Sequence, residues 1–480
     1  MNADERRWTL INPKSVSDFF QKIVDALLLY QRSSAFICVH LRQAVQNVSV
    51  ACALALLLGV TPALRGQSTG IPAVDSANVA RAAWQRAAMA LNSKDTATAH
   101  REATRAARAW PVQPAYVWGR AVTAQLVGDT TALREALDGY AALGLGRDLH
   151  GDARFARYAN LPGFASIVAR HDSNRAPLVR SRVVATMPDS TFWPEGMDYD
   201  PRTQRYYVAS VRHRTIGEVE AGKVRRELWP REQPGIGAVL GVRVDAKRGV
   251  LWATLAGVPQ MQGFTRGDTT IAALVRIRIA DGRIERRWNL PPAPLGHVLG
   301  DLAIGPLGDV FVTDSNDPVL YRLRPGADSL EKITSPLFRS LQGMAPLPNA
   351  AVVYVADYSH GLLRVDLATN ETTRLADAPG STSLGCDGIA WDGAAIIAVQ
   401  NGVAPARVMR FVIDAAGRRI ARAEVLDQNL AVADEPTIGA IVGRDFVYVA
   451  NSQWEKYTND GLRKRERPLS APVLLAVPIH

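Results

Sequence analysis

Asp387-Gly388-Ile389-Ala390, followed by the apolar run AIIAVQN (395–401), decides the fold of this chain because the phrase recurs. Upstream, Gln342-Gly343-Met344-Ala345 leads into VVYVADY (352–358), and Gly300-Asp301-Leu302-Ala303 into DVFVTDS (309–315). Further upstream, Glu195-Gly196-Met197 leads into YYVAS (206–210). Each phrase carries an oxygen-bearing side chain at or beside its first position. Over 179–480 the pattern is one of short strands with period-2 alternation, separated by Gly, Pro and Asp turns. Strand openings fall at Glu195, Leu240, Gly300, Gln342, Asp387 and Thr437, at spacings of 45, 60, 42, 45 and 50 residues. A repeat of this size predicts a mainly β fold, a six-bladed β-propeller with about four strands per blade. The longest spacing holds an expected loop insertion at 257–270, and segments 181–186 and 472–477 are expected to pair in one blade and close the ring. In such a ring the same end of every innermost strand faces one channel, so oxygens far apart in sequence meet there.

The chain before 179 reads differently. Residues 77–172 are rich in Ala, Arg and Leu at helical spacing. Trp84 and Trp118, Ala87 and Ala121, and Asp95 and Asp129 are each separated by 34 residues, the period of a tetratricopeptide helical pair. This predicts an N-terminal α-helical, tetratricopeptide-like domain able to recruit a protein partner. A third helical stretch is expected at 153–170, ending in a turn at Leu161-Pro162-Gly163-Phe164. Residues 1–67 read as a leader whose uncharged segment 48–60 suits a signal-peptide core, being too short for a membrane span of about 20 residues. The preceding stretch is long for such a leader, so translation is expected to begin near residue 45. A periplasmic or secreted mature chain without a membrane span follows, with Cys386 as its one remaining cysteine.

With 47% hydrophobic and 21% charged residues the composition is that of a folded protein. The formal charge of +10 comes from scattered arginines, and the dense run Arg463–Arg467 reads as a solvated loop. No RNA-binding or zinc-finger pattern accompanies it, so nucleic acid is not an expected partner. There is no His-Glu-x-x-His, no Cys pair and no Gly-x-Ser-x-Gly, which removes a zinc hydrolase and a nucleophile-elbow serine hydrolase from the reading. Carboxylate and amide oxygens are hard ligands, suited to Ca²⁺ first and to Mg²⁺ or Mn²⁺.

Pro194-Glu195-Gly196, Gln342-Gly343-Met344 and Asp387-Gly388-Ile389-Ala390 resemble the blade openings of senescence-marker-protein/gluconolactonase-like (regucalcin-type) propellers, over roughly 190–480. That resemblance implies a divalent cation in the channel, held by a Glu of the first blade, an Asn of the fourth and an Asp of the fifth. Carried onto this chain it implies Glu195, Gln342 and Asp387 as metal ligands, with Asp387 also as catalytic base. Gln342 departs from the pattern by one methylene, and the third-blade phrase has Asp301 without the usual Asn. Asp301 is the expected substrate contact there. Glu435, two residues before Thr437, is a further candidate at the channel mouth, and His297 is a candidate proton shuttle or a plain loop histidine. Trp193, Tyr358 and Trp454 either line a pocket or pack, while Asp314, Asp357, Asn401 and Asn451 stand where residues cap turns. The expected function is an exported, metal-dependent lactone or ester hydrolase; the alternative is a non-catalytic ligand- or protein-binding propeller.

Overall fold

The computed structural model describes residues 72–294 and 296–480, so the expectations for the leader and the translation start lie outside the described residues. Among the described residues no helix is long and apolar enough to cross a membrane. The chain forms two compact units, one helical and one β.

Among the described residues the helical region has five α-helices: α1 (Pro72–Asn92), α2 (Thr96–Ala109), α3 (Pro114–Val127), α4 (Thr130–Ala142) and α5 (Phe164–Arg175). Consecutive helices α1 to α4 pack on one another. The 34-residue repeat has a local cause. Asp95 and Asp129 are equivalent N-caps, each accepting from a backbone N–H three residues on (Thr98 and Ala132, both 2.9 Å). Pro114 starts α3 at a position where its missing N–H removes no helical bond. Trp84 and Trp118 are packing residues, meeting Tyr116 at 5.2 Å and Tyr140 at 5.4 Å between ring centroids. The third helical stretch differs from expectation. Only Ala156–Tyr158 forms a short 3-10 turn, and the Leu161–Gly163 turn precedes α5 instead of ending a helix. Pro162 disfavours helical backbone at Leu161, and Gly163 sits at φ +78°.

The β unit is a six-bladed propeller of four-stranded antiparallel sheets. The innermost strands of blades 1 to 6 are Pro194–Asp200, Ala238–Asp245, Leu299–Ile304, Leu341–Pro346, Ile389–Trp391 and Gly439–Val442. Blades 1 to 5 are meanders. Blade 6 takes its outermost strand, Arg182–Thr186, from the start of the unit and pairs it with Val473–Pro478, as expected for ring closure. Asp427 secures that junction by accepting from Arg180 N (2.8 Å), Ser181 N (3.2 Å) and Tyr448 Oη (3.0 Å). Apolar residues lie between neighbouring blades, for example Tyr207, Ala209 and Ile216 of blade 1 against Leu251, Ala253 and Val275 of blade 2. Each sheet thus buries both faces against its neighbours in the ring.

Candidate functional site

The six strand openings share one backbone device. In blades 1 to 4 the register between first and second strands slips by one residue, between Pro194/Met197, Val239/Val242, Leu299/Leu302 and Leu341/Met344. Blades 5 and 6 make the same β-bulge through hydrogen bonds. Asp387 N donates to Val399 O (2.8 Å) and Val399 N to Gly388 O (2.9 Å); Thr437 N donates to Val449 O (3.0 Å) and Val449 N to Ile438 O (3.2 Å). Glu195, Leu240, Gly300, Gln342, Asp387 and Thr437 are therefore the first bulge residue of their blades. A bulge bends the strand and re-aims the side chain it carries.

The recurring glycine is required at the second bulge position because adjacent innermost strands approach closely there. A Cβ on Gly196 would lie 2.4 Å from Leu240 O, one on Gly343 2.6 Å from Ile389 N, and one on Gly388 2.6 Å from Ile438 Cα. Hydrogen bonds then tie the bulges together: Thr437 Oγ1 to Glu195 O (2.8 Å), Thr313 Oγ1 to Gln342 O (2.8 Å) and Gly343 N to Asp387 O (3.1 Å).

This ring brings four of the expected residues into one electrostatic neighbourhood: Glu195, Asp301, Asp387 and Glu435. Burial, followed by the Asp387 charge, pushes the Glu195 carboxyl well up, against a 2.6 Å hydrogen bond donated by Trp454 Nε1 to Oε2. Burial pushes Asp387 up to about 7 although Asn401 Nδ2 donates to its Oδ2 (2.7 Å), and Asp301 adds repulsion. Glu435 is pushed up to about 8 by burial and then by Glu455, whose backbone N–H donates to Glu435 Oε2 (3.1 Å). Burial also raises Asp301 and Asp198. Arg243 lowers both; its guanidinium donates to Asp301 Oδ2 (3.3 Å), Met197 O (3.2 Å) and Val242 O (2.9 Å).

The remaining expected residues sit otherwise. Gln342 holds the equivalent bulge position, but its amide N–H donates to Ser340 Oγ (3.4 Å). His297 is buried with both ring nitrogens engaged, Nδ1 with Asp314 Oδ2 (2.5 Å) and Nε2 with Pro291 O (2.8 Å); this is the bonding of a loop-anchoring histidine. Asn451 accepts from Val473 N (2.8 Å) across 22 residues, whereas Asp314 and Asp357 do cap turns, accepting from Asn316 N (3.1 Å) and Ser359 N (3.0 Å). Asn401 does not. It bridges Asp387, Pro436 O (2.8 Å) and Tyr358 Oη, which donates to its Oδ1 (3.0 Å). The basic run is a surface loop with Arg465, Glu466 and Arg467 exposed; it follows a turn anchored by the Tyr457–Arg463 bridge, and Lys464 Nζ donates to Glu455 O (3.1 Å).

Sequence reasoning missed the roles of Asn401, Trp454 and Arg243. For Arg243 a signal existed. Two residues beyond the second bulge position, blades 3 to 6 carry Ala303, Ala345, Ala390 and Ala440, whereas blades 1 and 2 carry Asp198 and Arg243.

The donor chemistry fits a hard divalent cation in part. Glu195, buried, and Asp387, half-buried, are mutually repelling carboxylates, each with one oxygen not engaged by Trp454 or Asn401. Among the described residues no three His, Cys, Asp or Glu side chains gather as a ready ligand cluster, and the Gln342 amide bonds Ser340. Glu195 and Asp387 are the pair that would hold such an ion.

No family model matches this chain, and no curated protein matches it. Among solved structures it is similar to virginiamycin B lyase from Staphylococcus aureus, at 16% identity and a TM-score of 0.39 over 56% of this chain and 80% of that one. A luciferin-regenerating enzyme is similar at 14% identity and a TM-score of 0.42, over 63% and 95%. A streptogramin B lyase is similar at 12% and 0.40, over 62% and 97%. These values transfer no activity, ligand or residue role to this chain.

Proposed function

We propose that the channel is the active site of a hydrolase that opens a lactone or ester, in a chain exported to the periplasm or beyond. The supporting observation is the fixing of Asp387: Asn401 holds one carboxylate oxygen and leaves the other for a water, among carboxylates contributed by blades 1, 3 and 6. In this reading Asp387 takes the proton of the attacking water. Glu435, protonated near neutral pH because of burial beside Glu455, returns a proton to the leaving alkoxide. Arg243 supplies fixed positive charge near the reacting carbonyl, and Asp301 orients its guanidinium. A divalent cation held by Glu195 and Asp387 would polarise the carbonyl.

A panel of γ- and δ-lactones and aryl esters, assayed with and without chelator, tests the proposal. Asp387→Asn should lower kcat by roughly 10²–10⁴ for any substrate that is turned over, the usual worth of a general base. Hydrolysis by Asp387→Asn at the wild-type rate removes Asp387 from the mechanism. No turnover across the panel contradicts the hydrolase reading and leaves a binding ring.

A further inference from the structure

The molecule carries a second constellation, independent of the channel, on α2. Arg101, Arg105 and Arg108 recur at i, i+4 and i+7 and therefore share one helix face; all three are exposed. They line a groove of about 620 Å³ together with His100, Thr104 and Ala109. Arg105 and Arg108 form no ion pair among the described residues, whereas Arg86, on the neighbouring helix, is paired with Glu102 at 2.7 Å. Beside this stripe the Thr104 hydroxyl is buried and has no hydrogen-bond partner among the described residues. His100 faces inward, its ring nitrogens meeting Thr123 Oγ1 (3.2 Å) and Asp129 (3.5 Å). Like charges at i,i+4 and i,i+3 destabilise a helix, so the stripe is a local conflict, eased at Arg101 by Glu102 (4.0 Å), that an anion bound at Arg105 and Arg108 would relieve.

We propose that this face of α2 docks an acidic peptide segment of a partner protein, bound in extended form. Seven residues of helix rise about 10 Å, and carboxylates on alternate residues of an extended peptide stand about 7 Å apart, so two or three fall within reach of the arginines. Guanidinium forks pair with carboxylates in two parallel hydrogen bonds. The groove residues named above offer no free aromatic face for stacking a base, which favours a peptide over a nucleic acid.

Fluorescence anisotropy on the full chain, with a labelled peptide of alternating Glu and Ser as probe, tests the proposal. Micromolar binding is expected, weakened at least tenfold in Arg105→Glu/Arg108→Glu and weakened again by added salt. Arg105→Gln/Arg108→Gln should give an intermediate loss, and unchanged circular dichroism shows that the helices persist. Absence of binding, or equal affinity of wild type and charge-reversed variant, overturns it. Tighter binding of single-stranded DNA of the same length, lost in the same variants, overturns the peptide assignment.

Discussion

Gly388→Ala is expected to destabilise the propeller by roughly 3 kcal/mol, the upper end of ordinary overpacking. The added methyl would lie 2.6 Å from Ile438 Cα and 3.1 Å from Thr437 O. Both belong to the backbone of the next blade, whose bulge is fixed by its own ladder, so neither can withdraw as a side chain would. Gly300→Ala is the control. It sits at the first bulge position of blade 3, where the nearest atom to a new Cβ is Ser315 Oγ at 3.2 Å, one side-chain oxygen bonded to Leu341 O that need give by only a few tenths of an ångström. Its effect should stay within about 1 kcal/mol, because lost unfolded-state freedom offsets the crowding. Urea unfolding of both variants reads the difference, and equal midpoints would contradict the close strand approach.

In chelator-treated protein, stability should fall as pH rises from about 4 to about 8, and Asp387→Asn should reverse much of the fall. Asp387 has an ordinary value of 3.8 and a folded value of about 7. Between these pH values the native state keeps a proton that the unfolded chain has released, so raising the pH favours unfolding. The rise corresponds to about 4 kcal/mol, fully expressed only above pH 7, and solvent access to the half-buried side chain brings the expected effect to about 2–3 kcal/mol. Glu435 adds in the same direction up to about pH 8. Asparagine keeps an oxygen for the Asn401 hydrogen bond and cannot ionise. The variant should therefore match wild type at pH 4 and exceed it at pH 8. A catalytic loss accompanied by a gain in stability is the mark of a carboxylate retained for function.

The ring was legible because its cause is local. Every opening residue from Glu195 to Thr437 lands at the first position of a bulge, and the glycine after most of them answers a close approach that any blade of this architecture imposes. The pairing of 182–186 with 473–478 was legible from ring closure, which calls for two terminal segments to share one blade and remove its open edge. The chemistry was less so. Gln342 occupies the expected place, and its amide N–H is held by Ser340 Oγ (3.4 Å), a tether that the strand pattern does not encode. Asn401 reaches Asp387 across 14 residues and Trp454 reaches Glu195 across 259, contacts that no local pattern encodes. The loop holding Trp454 is itself fixed by another loop: Gln260 Nε2 donates to Thr458 O (3.4 Å) and Asn459 O (3.2 Å). Inserted residues 257–270 thus help set the wall of the site, although their sequence shows only an insertion.

Asp387 stands at the heart of the channel as a carboxylate whose desolvation outweighs the single hydrogen bond it accepts from Asn401. An infrared pH titration of the carboxylate stretch, taken as wild type minus Asp387→Asn in chelator-treated protein, isolates that one group. A midpoint near 7, moved higher in Asn401→Ala, is the predicted result. A midpoint near 4 in both would show an ordinary solvated aspartate and contradict the account.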